Sequence, residues 1–165
     1  MNTGQTMLTV AAMMLLSAIV LRINNNFLNT NTVMMENRFG VLALSLATSY
    51  IEEATGKAFD AQTDEKPVET LGELTSPGGL GPGSGEVYPF FNDFDDFNGL
   101  TRLDTSMRSA YYNVECHVDY INPANPDVAV NSTTWHKKIT VNVFSTGFMR
   151  DTVSLSSIYS YFYFR

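Results

Sequence analysis

From Met7 to Leu21 the chain reads MLTVAAMMLLSAIVL, fifteen residues in which only Thr9 and Ser17 carry polar side chains. Apolar positions fill every face of the helix that such a run predicts, unlike the one-sided stripe of a helix lying on a soluble core. With Ile23 beyond Arg22, the span 7–23 is about 26 Å long at ~1.5 Å per residue. That is near the short end of what crosses a bilayer, and Arg22 at its edge can snorkel to the interface. INNNFLNTNT follows, and its Asn side chains compete for backbone hydrogen bonds, so a joint or unwound stretch is expected there. Helical periodicity then returns. Met35, Phe39, Leu42, Leu46 and Ser49/Tyr50 recur at spacings of three and four, which predicts a second helix over 32–57. Asn31 or Thr32 is placed to cap it and Gly56 to stop it, with Lys57 at its carbonyl end.

The pattern changes period after residue 110. Tyr112, Val114, Cys116, Val118 and Tyr120 alternate with Asn113, Glu115, His117 and Asp119, the period of a half-buried strand. Asn122-Pro-Ala-Asn-Pro-Asp reads as a turn. Trp135–Phe144 gives a second strand with Ile139, Val141 and Val143 on one face and Lys138, Thr140 and Asn142 on the other. Asp151–Arg165 gives a third, with Val153 and Leu155 inward and a bulge expected at Ser156-Ser157. Short connections make this an antiparallel meander. Residues 60–88 between helix and sheet read as loop, with five glycines and two prolines from Leu74 to Glu86. The expected fold class is α+β: a long interrupted N-terminal helix whose second half packs on an antiparallel C-terminal sheet of three to five strands. Residues 1–31 form the stem and joint. Residues 32–165 form the head, comprising the helix 32–57, an acidic loop-rich segment 58–106 and the sheet 107–165.

Charge sharpens this division. Residues 1–50 hold only Arg22, Glu36 and Arg38, whereas 51–104 hold twelve acids and three bases. The chain carries a net charge of −7, and its few Lys and Arg are not clustered. No nucleic-acid partner is therefore expected, because phosphate contacts need grouped cations. A single cysteine, Cys116, excludes an intrachain disulfide and any site built on several Cys ligands.

The candidate chemistry is sparse. The stretch Tyr88-Pro-Phe-Phe-Asn-Asp-Phe-Asp-Asp-Phe-Asn-Gly concentrates oxygen donors at Asp93, Asp95, Asp96 and Asn98, a donor set that suits calcium. The spacing departs from the EF-hand, since Phe97 occupies the fifth position and no Glu stands at the twelfth. The alternative is an aromatic-anchored turn, with the phenylalanines inward and the aspartates solvated or capping backbone N–H groups. Cys116 falls on the apolar face of its strand and reads as a small buried hydrophobe. His117 points to the opposite face, so the two form no local dyad. No catalytic constellation is evident, so no enzyme activity and no other cofactor are expected.

GQTMLTVAAMMLLSAIVLR (4–22), with a glycine, a following Thr and an unbroken apolar run, resembles the amino terminus of type IV pilins and pseudopilins. DFDDFNGL is similar to a short acidic stretch of minor pilin-like proteins. The resemblance implies cleavage of a leader between Gly4 and Gln5. It also implies a stem that packs at the centre of a helical filament. Met7, Leu8, Val10, Met13, Met14 and Leu15 would then line the interface between copies, continued by Leu16, Ile19, Val20, Leu21, Arg22 and Ile23. Thr3 stands where the family has a basic residue, and Thr9 where it has an acid at the fifth mature position. Either the leader is retained, or the chain begins at a mature end and Gln5 takes the acid's place. The partners implied are further copies of the chain and the inner membrane before assembly, with the finished filament at the cell surface. A minor-pilin role and a monomeric single-pass envelope binding protein are the alternatives.

Overall fold

The computed structural model describes residues 2–107, 110–145, 147, 149 and 151–162. The far end of the strand expected to reach Arg165, including Tyr163 and Phe164, lies outside them. One helix, α1, runs Thr3–Thr55. The chain divides into two compact units, Met1–Arg38 and Phe39–Arg165, a few residues beyond the expected 31/32 boundary.

Within the first unit the helix carries straight through the Asn-rich stretch, so the expected joint is absent and neither Asn31 nor Thr32 caps anything. The physical reason is cooperativity. No Pro or Gly falls between Gln5 and Phe39, and extending a formed helix costs far less than nucleating one. Each Asn gives up less than about 1 kcal/mol against Ala. Thr30 and Thr32 donate their hydroxyls back to the carbonyls of Asn26 and Leu28, which keeps their polar groups within the helix.

In the second unit α1 ends where expected. Gly56 N–H still bonds Glu52 O at 3.1 Å, and Lys57 N–H bonds Ala54 O. Ala43, Leu46, Ala47, Tyr50, Ile51 and Ala54 are buried, with Phe39 and Leu42 packed at the margin of the same core. From Phe39 to Tyr50 this is the predicted face, with alanines allowing close approach, whereas Met35, expected on it, is exposed. A short helix α2, Ala61–Glu65, follows.

The sheet has five antiparallel strands: β1 Thr101–Asp104, β2 Tyr112–Asn122, β3 Asn125–Ala129, β4 His136–Phe144 and β5 Val153–Ser160. The order is β1-β2-β4-β5, and β3 folds back on the end of β2. The sequence pattern missed β1, which lies in the segment read as loop, and it missed β3, which is short and exposed. The bulge expected at Ser156-Ser157 is also absent: Ser156 faces Thr140 and Ser157 faces Ile139 in unbroken register. Pairing aligns Val114 with Val143, Cys116 with Val141 and Val118 with Ile139. These six buried residues and the face of α1 from Ala43 to Ala54 form one hydrophobic core. Phenolic hydroxyls fix the docking of helix to sheet. Tyr50 donates to Asp104 at 3.1 Å, Tyr112 to Phe39 O at 3.1 Å and Tyr88 to Glu53 at 2.9 Å. Arg102 lies 4.6 Å from the centre of the Tyr88 ring.

Candidate functional site

Two features stand out, one in each unit. The first is the stem. Its apolar side chains are exposed along the whole run: Met7 by 76%, Met13 by 70%, Met14 by 69%, Leu15 by 64% and Leu16 by 62%. Successive residues point about 100° apart on a helix, so the run 13–16 wraps the full circumference. The three hydroxyls of the run and its approach are satisfied internally. Thr6 donates to Thr3 O, Thr9 to Thr6 O and Ser17 to Met13 O, each at 2.8–2.9 Å. No side chain in 7–21 therefore needs water. The helix is long and apolar enough, over an 18-residue window, to cross a membrane by length and composition.

The second feature is a buried ionic cluster in the head. It is assembled where residues 58–60, just past α1, meet the acidic turn. Ala58 pairs with Asp93 in a parallel bridge, and Phe94 N–H donates to Ala58 O at 2.9 Å. Phe91, Phe94 and Phe97 face the core, as the alternation predicts. The aspartates, however, are not solvated: Asp93, Asp95 and Asp96 are each 2% exposed or less. Asp93 accepts the N–H groups of Asp95 and Asp96, at 2.9 and 3.1 Å. Asp96 accepts those of Asn92 and Asp93. Asn98 bridges two elements, accepting from Val118 N–H and donating to Leu80 O. Gly99 then turns the chain at φ +78°, where a side chain would be strained. Of the four residues named as calcium ligands, three share this turn's hydrogen-bond network. Asn98 is directed at β2 instead. Among the described residues no group of three or more His, Cys, Asp or Glu is arranged to hold a metal ion.

Lys137 completes the cluster, and the sequence reading did not single it out. It occupies the inward register of β4 ahead of Ile139, Val141 and Val143, and it is fully buried. Its Nζ donates to Asp95 Oδ1 at 2.7 Å, Asp60 Oδ2 at 2.8 Å and Phe59 O at 2.9 Å. The rings of Phe59 and Tyr120 lie 4.6 and 5.2 Å from that nitrogen. Asp60, also missed, caps α2 through Gln62 N–H and accepts from Thr75 N–H, Thr75 Oγ1 and Tyr120 OH. The available signal was the charge itself: a lysine in phase with three inward β-branched residues needs a buried acid.

Burial sets the electrostatics. It pushes Asp93 up to about 8, aided by the charge of Asp95 and a hydrogen bond with it. Burial also raises Asp95, with Lys137 offsetting part of the effect, and raises Asp96 against the pull of the Asn92 and Asp93 amides. Asp60 goes the other way. Burial would lift it, but Lys137 and the bonds from Gln62 and Thr75 hold it below the ordinary value. Near neutrality Asp93 therefore keeps its proton beside the ion pairs of Lys137.

The remaining sequence candidates do not converge. Cys116 is buried, and burial drives its thiol up to about 12, the state of an inert packing residue. His117 is largely exposed and 3.1 Å from Asp119. It faces Thr140, four residues along β4 from His136, and His136 instead contacts Ser160. Compared with protein-family models, with curated proteins and with solved structures, the chain matches none.

Two outcomes follow from the cluster. Lys137→Met strands Asp60 and Asp95 as buried carboxylates without a cation, and chemical denaturation should show a loss of about 3–5 kcal/mol. Asp93 binds its proton more tightly folded than unfolded, so its stabilisation is full below the ordinary aspartate range and is lost as pH rises through about 8. Asp60 acts oppositely, losing its contribution only as pH falls into the acid range. Thermal melts should therefore show stability declining as pH rises from the ordinary aspartate range to about 8 and levelling off beyond it, with a flatter slope in Asp93→Asn, which keeps the Oδ1 acceptor and stays neutral. Parallel slopes for the two proteins would contradict the assignment.

Proposed function

We propose that the chain is a structural, pilin-like subunit that enters the inner membrane by its stem and polymerises into a surface filament through residues 7–23. The observation that carries this reading is the unbroken collar of exposed apolar side chains from Met7 to Ile23, without a charge before Arg22. Such a surface is stable in lipid or against copies of itself, and each Å² of apolar area withheld from water is worth ~25 cal/mol. Between lipid and a helical bundle the hydrophobic term nearly cancels, so close packing must favour assembly. Ala11, Ala12, Ser17 and Ala18 supply the small side chains that let helix backbones approach. Arg22 and the Asn24–Asn26 run, at the polar end of the stem, supply the groups that fix register. An α+β head in which a long N-terminal helix packs on an antiparallel sheet is in keeping with the same reading, as is the Gly4-Gln5 junction.

Processing and assembly can be tested together. Intact mass of the chain from its native envelope should place the amino terminus at Gln5, and negative-stain microscopy should show filaments. Gly4→Val should abolish both while leaving the fold intact, since a Cβ at Gly4 meets nothing within 4 Å. A processed chain without filaments would indicate a minor subunit. An unprocessed, monodisperse monomer in detergent would indicate a simple anchor and end the filament reading.

A further inference from the structure

The buried cluster of the head has an imbalance that ion pairing leaves unresolved. Lys137, Asp60 and Asp95 are 0%, 0% and 2% exposed, so one cation faces two carboxylates in a dry site. The two acids are not equivalent. Asp60 is surrounded by donors: Gln62 N–H, Thr75 N–H, Thr75 Oγ1 and Tyr120 OH all bond it in addition to the lysine. That set holds a carboxylate well. Asp95 has Lys137 at 2.7 Å, and its own backbone N–H bonds the carboxyl of Asp93 at 2.9 Å. It is the surplus acid of the pair, and it has an acid of its own beside it.

The geometry points to an intramolecular amide bond between Lys137 Nζ and the side-chain carboxyl of Asp95, formed by the folded chain on itself with Asp93 as the assisting acid. The nitrogen already touches Asp95 Oδ1. The carboxyl carbon is one bond further on, and near-attack arrangements hold reacting atoms ~3–3.5 Å apart. Condensation is unfavourable in bulk water, but here the rings of Phe59 and Tyr120 cover the nitrogen, and Phe94, next to Asp95 in the chain, is fully buried.

The step balances without an outside reactant. Lys137 passes one proton to Asp95, giving a neutral amine beside a neutral carboxylic acid. The nitrogen lone pair attacks the carboxyl carbon, and the C=O electron pair moves onto oxygen. Asp93 gives its proton to the departing hydroxyl and takes one from the nitrogen as the C–O bond breaks. One amide and one water result, Asp93 regains its starting state, and nothing is oxidised or reduced. The elevated proton affinity of Asp93 keeps that proton available near neutrality. Energetically, the bond removes one buried positive and one buried negative charge together. The net charge of the site is unchanged and the cost of holding two dry ions disappears, while Asp60 loses its cation and relies on its neutral donors. The remaining amide N–H can still donate to Asp60, and Asp60 keeps its four other donors. The link would close a loop of 42 residues and tie the Phe91–Phe97 turn to the inward edge of β4. It stands apart from the stem and does not depend on the filament reading.

Proteolytic mapping of the purified full-length chain decides the matter without any variant. A branched peptide joining Lys137 to Asp95, lighter than its two parts by one water, is the expected result. Separate unmodified peptides, or a branch from Lys137 to Asp60, would overturn it. Lys137→Arg keeps the charge but should lose the branch completely, whether or not it folds as well. Asp93→Asn, which removes the acid and keeps the Oδ1 acceptor, should lower the branched fraction at least tenfold in freshly made protein. Undiminished branching in Asp93→Asn would remove Asp93 from the step, and water loss persisting in Lys137→Arg would place the modification elsewhere.

Discussion

An apolar helix whose side chains point outward on every face cannot remain in water, and this constraint governs the reading of the whole chain. The stretch from Met7 to Ile23 exposes methionine, leucine, valine and isoleucine around its full circumference. Its hydroxyls are already bonded to its own carbonyls. Nothing in the segment asks for solvent until Arg22, and by length and composition it is apolar enough to cross a membrane. Interruptions of such a helix inside a membrane would expose unpaired backbone groups that lipid does not tolerate.

The head answers a different demand. Its core joins a helix face rich in alanine to a sheet face rich in valine, and it needs little polar chemistry. Yet one inward position of β4 is given to a lysine, with Asp60 and Asp95 brought to it from two separate loops. An apolar residue there would be cheaper in desolvation. What the lysine does is tie β4 to the segment after α1 and to the acidic turn, through bonds to Phe59 O, Asp60 and Asp95. The turn itself is stabilised by carboxylates that cap its amides, which explains why so many aspartates accompany so many phenylalanines in a short stretch. The phenylalanines seat the turn, and the aspartates satisfy the backbone that seating buries.

Much of this was legible in the residues. The alternation Tyr112 to Tyr120 and the run Ile139, Val141, Val143 placed the two central strands, the three-and-four spacing from Phe39 to Tyr50 placed the packed part of α1, and Gly56 marked its end. Local propensity misled at Asn24–Asn31, where helix propagation from both flanks outweighed weak helix formers. It misled again at Ser156-Ser157, where a regular ladder absorbed two serines. The cluster was half legible. Asp93, Asp95 and Asp96 stood out by density alone, but Asp60 and Lys137 are distant in sequence, and only tertiary pairing brings them together. A charged residue in an apolar phase was the one local clue.

The central claim is that the stem is the spine of a polymer rather than a tether, and neighbour-to-neighbour disulfide trapping addresses it most directly. Cys116 is buried and inert, so cysteines placed at Leu8 and Leu21 report on the stem alone. Oxidised in the native envelope or in isolated filaments, such a chain should yield a ladder of covalent oligomers extending well past the dimer. The same pair placed at exposed head positions Val87 and Val128 should yield far less. A stem that stays monomeric under these conditions, or that reacts no more than the head, would contradict the account.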